Sequence, residues 1–115
     1  MNTVIGKLEQ VRSRIEAACI AAGRAVSGVT LLAVSKTQPD AAVRDAFAAG
    51  QRAFGENYVQ EALDKIAATA DLRSQIEWHL IGPLQSNKTR PVAAAFDWVQ
   101  SVDRLKIAQR LSEQR

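Results

Sequence analysis

A parallel α/β sheet is the fold class the sequence predicts, and three observations carry it. Short apolar runs of strand length alternate with longer segments whose apolar residues recur every three or four positions. That alternation occurs four times in succession, so each helix returns the chain to start the next strand in the same direction. The run from Thr30 to Ser35 is short and largely apolar, as expected of a strand covered on both faces.

The elements follow in order. Val4, Leu8, Val11, Ile15, Ala18, Cys19 and Ala22 form the stripe of a long first helix, with Asn2 or Thr3 as its cap and Gly23 as its stop. The Ser27-Gly28 turn leads to the first strand, and the helix-forming segment Ala41 to Ala49 ends at Gly50. Arg52 to Gly55 reads as a second strand. Tyr58 to Ala70 reads as a helix with Val59, Ala62, Leu63 and Ile66 on one side.

The segment IEWHLIG, Ile76 to Gly82, is the third strand, followed by a helical stretch from about Ser86 to Ala95. Pro91 is awkward inside that stretch, because it removes a donor and clashes one turn back. The turn before it is therefore expected to be a loop or a short, tight helix. Trp98 to Val102 is the fourth strand. Asp103 to Gln114 is a last helix, with Leu105, Ala108 and Leu111 on one side and Ile107 one turn before Leu111.

Composition sets the class. With 115 residues, 47% of them hydrophobic, the chain is one small domain or part of one, able to build a core. No apolar run approaches the roughly 20 residues that cross a bilayer, and the N-terminus is amphipathic rather than signal-like. A cytoplasmic protein is the expectation. The single cysteine, Cys19, excludes an intramolecular disulfide and a cysteine-based metal site, and reads as a buried thiol. The charge of +3 is spread along the chain, and Arg104, Lys106, Arg110 and Arg115 read as a solvated helix face, not a nucleic-acid footprint.

In parallel α/β folds, ligands bind where strands end. The residues placed there are Lys36, Glu56, Asn57, the turn Gly82 to Gln85, and Ser101. Lys36 ends the stretch LLAVSKTQP. Pressed against apolar strand residues, such an amine would be desolvated and serve as a nucleophile toward a carbonyl; the plain alternative is a lysine that snorkels to solvent. Asn57 reads as an N-cap with Gln60 completing a capping box, or as a donor to a ligand oxygen. Glu56 reads as a solvated loop carboxylate, or as an acid or base. His79, the sole histidine, reads as a hydrogen-bonded core residue of its strand and excludes a histidine-based metal centre. The turn Gly82-Pro83-Leu84-Gln85-Ser86-Asn87-Lys88 leads to a helix N-terminus able to hold an anion with Lys88 or Arg90, but it is not a Walker loop.

Taken together and in order, LLAVSKTQP, FGENYVQEALDKI, EWHLIGPLQSNK and FDWVQSVDRLKIA resemble the YggS-like family of pyridoxal phosphate homeostasis proteins across essentially the whole chain. The resemblance implies the first half of a (β/α)8 TIM-type barrel, like the N-terminal domain of alanine racemase, with an extra N-terminal helix. It implies that pyridoxal 5'-phosphate (PLP) is held as a Schiff base on Lys36, with Asn57 and His79 as further cofactor-binding residues and no metal. Family members look roughly twice as long, with eight strands and phosphate loops in the last of them. Residues 1–115 are accordingly expected to be an N-terminal half of that barrel domain with two unpaired strand edges: a fragment, a truncated gene product, or a chain that pairs with another copy.

The function implied is non-catalytic: holding PLP and passing it to PLP-dependent apo-enzymes, with neither nucleic acid nor membrane as partner. An amino-acid racemase is the enzymatic alternative. It would need a second base opposite the lysine, and the only tyrosine, Tyr58, opens a helix. An inert fragment or basic interaction module is the third reading.

Overall fold

The computed structural model describes residues 3–115. Helix α1 spans Val4–Ala21, with the Thr3 hydroxyl accepting a hydrogen bond from the Gly6 amide at 3.0 Å. Asn2, the other expected cap, lies outside the described residues. Gly23 ends the helix with φ +66°, while the Arg24 and Gly23 amides return to the carbonyls of Cys19 and Ile20. This double closure is what a left-handed glycine permits at a helix C-terminus. Leu8 and Cys19 are buried, as the stripe requires, but Val11 is exposed. Arg12 turns inward instead, donating to the Ala49 carbonyl at 2.6 Å and the Gln51 side chain at 2.9 Å.

Strands β1 (Ala33–Val34), β2 (Ala53–Glu56), β3 (Glu77–Leu80) and β4 (Trp98–Val99) run parallel and pair in chain order. Helices α2 (Asp40–Ala48), α3 (Val59–Ala68), α4 (Thr89–Ala95) and α5 (Leu105–Gln114) follow them in turn. Strictly sequential order is that of a barrel wall; an open doubly wound sheet reverses at a switch point.

Pro91 sits in the first turn of α4, where its missing donor costs nothing, and a 3-10 turn at Ser86–Lys88 precedes it as the sequence predicts. The fourth strand is shorter than expected. In α5 the buried side is set by Ile107, with Leu111 against the core, whereas Leu105 is exposed and Ala108 also faces solvent. Of the four basic residues expected on a solvated face, Arg104, Lys106 and Arg115 are exposed and Arg110 is half-buried, and two of them also bond α4 and its end. Arg115 donates to the Ala93 and Phe96 carbonyls at 2.8 and 2.6 Å, and Arg110 reaches the Thr89 hydroxyl at 3.3 Å.

Two cross-strand rows define the faces of the sheet. Ala33, Phe54 and Trp78 are register partners on the helix side, where Phe54 and Trp78 are buried with ring centroids 5.7 Å apart. Val34, Gly55, His79 and Trp98 form the neighbouring row, on the opposite face because strand side chains alternate. There Val34 is 51% and Trp98 56% exposed. The expectation that the first strand is covered on both faces is therefore not met: among the described residues, helices cover one face only.

A bidentate pair ties α2 to the 3-10 segment Ala70–Gln75, which begins where the expected Tyr58-to-Ala70 helix was to end. Arg44 donates to Asp71 at 3.0 and 2.7 Å and to the Ala68 carbonyl at 2.9 Å. The hydrogen bond from Arg44 holds the Asp71 carboxyl below its ordinary value of 3.8. A carboxyl lowered on folding stabilises the fold above its unfolded pKa, and that contribution is lost as pH falls through the lowered folded value. Asp71 is thus expected to titrate below 3.8 in a carboxyl NMR titration and to rise in Arg44→Ala; an Asp71 indifferent to that substitution would contradict the pairing.

Candidate functional site

The carboxyl ends of the strands meet on one rim. Beyond the strands proper, the Ser35 amide donates to the Gly55 carbonyl, the Ile81 amide to Glu56 and the Gln100 amide to Leu80, each at 2.9 Å. Lys36 therefore leaves β1 beside the end of β2. It is exposed, so the described residues do not supply the desolvation expected of it; it follows the strand into a turn at the edge of the uncovered sheet face. Thr37, the next residue, has φ +62°, a left-handed conformation that a β-branched residue rarely adopts.

Asn57 stands at the end of β2 but does not cap α3. Tyr58 occupies the N-cap position, no side chain caps that helix, and Gln60 bonds Asp64 at 3.0 Å instead of forming a capping box. The Asn57 backbone is tightly packed: a Cβ on Gly82 would lie 2.3 Å from the Asn57 carbonyl oxygen and 2.7 Å from its Cα. Asn57 Oδ1 is left buried without a protein partner. The Ser101 hydroxyl donates to the Gly82 carbonyl at 2.5 Å, so the loops after β2, β3 and β4 are stitched together at this point. Gly82→Ala is expected to cost about 1–3 kcal/mol by overpacking, since the obstacle is backbone and not a movable side chain. A chemical denaturation midpoint matching the unsubstituted chain would contradict that close approach.

His79 lies one residue inside the rim, on the uncovered face. Its Nδ1 is 2.7 Å from the Gln100 amide nitrogen and its Nε2 2.6 Å from Glu77 Oε1, while its ring stacks on Trp98 with centroids 5.9 Å apart. An amide nitrogen can only donate, so Nδ1 accepts and Nε2 carries the proton given to Glu77. The hydrogen-bonded role expected from the sequence is thus observed, with both ring nitrogens engaged.

Glu56 departs most from expectation. It is fully buried rather than a solvated loop residue, because its register partner Leu80 lies on the helix side of the sheet. Its Oε2 accepts from the Ser35 hydroxyl and, at 3.0 Å, from Lys65 Nζ of α3. Lys65, only 5% exposed, also donates to the Ser35 carbonyl at 2.6 Å and to Glu61 at 3.2 Å. Three donors on the ammonium meet three acceptors. Sequence reasoning missed this cluster, although Ala62, Lys65, Ile66 and Thr69 are spaced as one helical face and all four are buried.

Among the described residues there is no group of three or more histidine, cysteine, aspartate or glutamate side chains placed to hold a metal. Nor is any described helix long and apolar enough to cross a membrane. The rim thus brings an accessible primary amine, an unpartnered buried amide oxygen and a closely packed backbone to the carboxyl end of the sheet.

No protein-family profile matches the chain. It is 64% identical over 115 residues to the pyridoxal phosphate homeostasis protein of Pseudomonas aeruginosa, covering 100% of this chain and 49% of that one. Its counterpart of the same name in Escherichia coli K12 is 55% identical over 116 residues, covering 100% and 50%. Among solved structures, PipY of Synechococcus elongatus with PLP bound superposes with a TM-score of 0.82 at 45% identity, covering 97% of this chain and 48% of that one. An unknown protein from Bifidobacterium adolescentis gives a TM-score of 0.89 at 34% identity, covering 96% and 49%. The chain spans about half the length of the relatives it matches. These likenesses agree with the expected fold class, four parallel strands and their helices from a (β/α)8 wall.

Proposed function

Because this chain is a homologue of the N-terminal half of the pyridoxal phosphate homeostasis proteins, we propose that it binds PLP through Lys36 and serves PLP homeostasis without turnover of its own. Residues 1–115 are read as the N-terminal half of a PLP-binding barrel domain of the alanine racemase type, in a cytoplasmic carrier. The observation that carries the reading is the placement of Lys36. An accessible amine stands on the carboxyl rim of a parallel sheet, in a chain 45% identical to one solved with PLP bound.

The residues present fit the cofactor. When bound, PLP supplies an aldehyde, which forms a reversible carbon–nitrogen double bond to a primary amine with release of water. Lys36 is the amine for that exchange. Asn57, at the end of β2, is the second residue on that rim, and its buried Oδ1 has no protein partner. His79, its nitrogens already engaged, contributes its ring to the open face of the sheet. Reversibility suits delivery, since a lysine of a PLP-dependent apo-enzyme can displace Lys36.

The racemase alternative needs a second base facing Lys36. Tyr58, the only tyrosine among these 115 residues, is 54% exposed at the start of α3, where it makes no side-chain cap. A titration with PLP followed by absorbance is expected to saturate at one equivalent, with the cofactor's absorption displaced to longer wavelength. A signal that grows without saturation would overturn the proposal.

A further inference from the structure

The buried cluster beneath the first strand end touches the backbone on both sides of Lys36. Lys65 Nζ donates to the Ser35 carbonyl at 2.6 Å, immediately before Lys36, and the Glu61 carboxylate accepts from the Thr37 amide at 2.5 Å, immediately after it. Glu61 and Lys65 are themselves paired one helical turn apart at 3.2 Å, and Glu56 anchors Lys65 from the end of β2. Thr37 holds its left-handed φ at the centre of this grip. Such a conformation persists only where the surroundings over-determine it. Here both over-determining bonds are charge-assisted, and both come from α3.

We infer that Glu61 and Lys65 are positioning residues for Lys36, a two-point brace from α3 that fixes the turn carrying the reactive amine. The inference rests on the proposed role of Lys36, but the brace itself is a property of the protein without cofactor. It gives the exposed lysine a fixed backbone from which to present its amine, although its side chain is in solvent. It also gives the charged side of α3 a purpose beyond stability: Glu61, about one-third exposed, contributes little burial yet holds the Thr37 amide.

Residue-resolved amide hydrogen exchange on the chain without cofactor tests the brace first. The Thr37 amide is expected to exchange at least about tenfold more slowly than an unstructured amide, as a charge-assisted hydrogen bond implies. An unprotected Thr37 amide would overturn the inference, with no variant required. In Glu61→Ala that protection is lost while the amides of β2 and β3 keep theirs; Glu61→Gln, which retains an acceptor oxygen, keeps part of it. Loss of protection throughout the sheet would reveal a general structural role and overturn the specific one.

The second readout is the rate of borohydride-trapped PLP labelling at Lys36, expected to fall about tenfold in Glu61→Ala with labelling of Lys7, Lys88 and Lys106 unchanged. An unaltered rate at Lys36 would overturn positioning even if exchange at Thr37 had changed. Should the unsubstituted chain fail to label at Lys36, the proposed function fails, and the exchange measurement still decides whether the brace exists.

Discussion

Lys65→Ala is expected to unfold most of the molecule's margin of stability, by about 3–5 kcal/mol, because it strands a fully buried carboxylate. Glu56 has no exposed surface, its Oε1 has no partner, and Lys65 is the cation paired with it. Alanine would remove that cation and its bonds to the Ser35 carbonyl and Glu61 together. For a domain whose whole stability is about 5–15 kcal/mol, such a loss is severe. The mechanism has its own control. Glu56→Leu combined with Lys65→Met removes both charges and should recover much of the loss, since a buried pair replaced by apolar groups is often neutral. A double variant no better than the single one, by thermal and urea unfolding, would show that the ion pair is not the origin.

Lys36→Ala is expected to do the reverse. The side chain is exposed at a strand end, so unfolding should change by no more than about 0.5 kcal/mol. Saturable PLP binding, however, should weaken by a hundredfold or more, on the order of 3 kcal/mol, because the covalent bond to the aldehyde loses its amine. Lys65 would then hold both the fold and the turn before Lys36, while Lys36 itself carries the chemistry. Unchanged affinity in Lys36→Ala, with one equivalent still bound, would move the site elsewhere.

The order of elements was legible because period and punctuation agree. Apolar runs near Phe54, Trp78 and Trp98 alternate with helical stripes, and Gly23 and Gly50 stop helices with positive φ. Pro91 announced the 3-10 turn before α4. Lys36 and Asn57 were placed at the carboxyl ends of β1 and β2 by the same reasoning, since the ends of parallel strands share a side.

What misled was charge. Glu56, just before a helix start, read as solvated and Lys65 drew no reading at all, yet register puts Glu56 on the helix side and the spacing from Ala62 puts Lys65 opposite it. Asn57 looked like a cap because a polar residue precedes a helical run. Its backbone packs instead against Gly82, 25 residues away in sequence, and the helix starts one residue later. Such long-range contacts leave no local pattern. The uncovered sheet face was equally hidden, because the apolar run before Lys36 is the same whether one face or two are buried.

The most direct measurement is to incubate the chain with one equivalent of PLP, reduce with borohydride, and map the modified peptides by mass spectrometry. Stoichiometric modification confined to Lys36 is the predicted result. Weak modification distributed over Lys7, Lys88 and Lys106 would contradict it, because an exposed lysine acting without a site reacts no better than its neighbours.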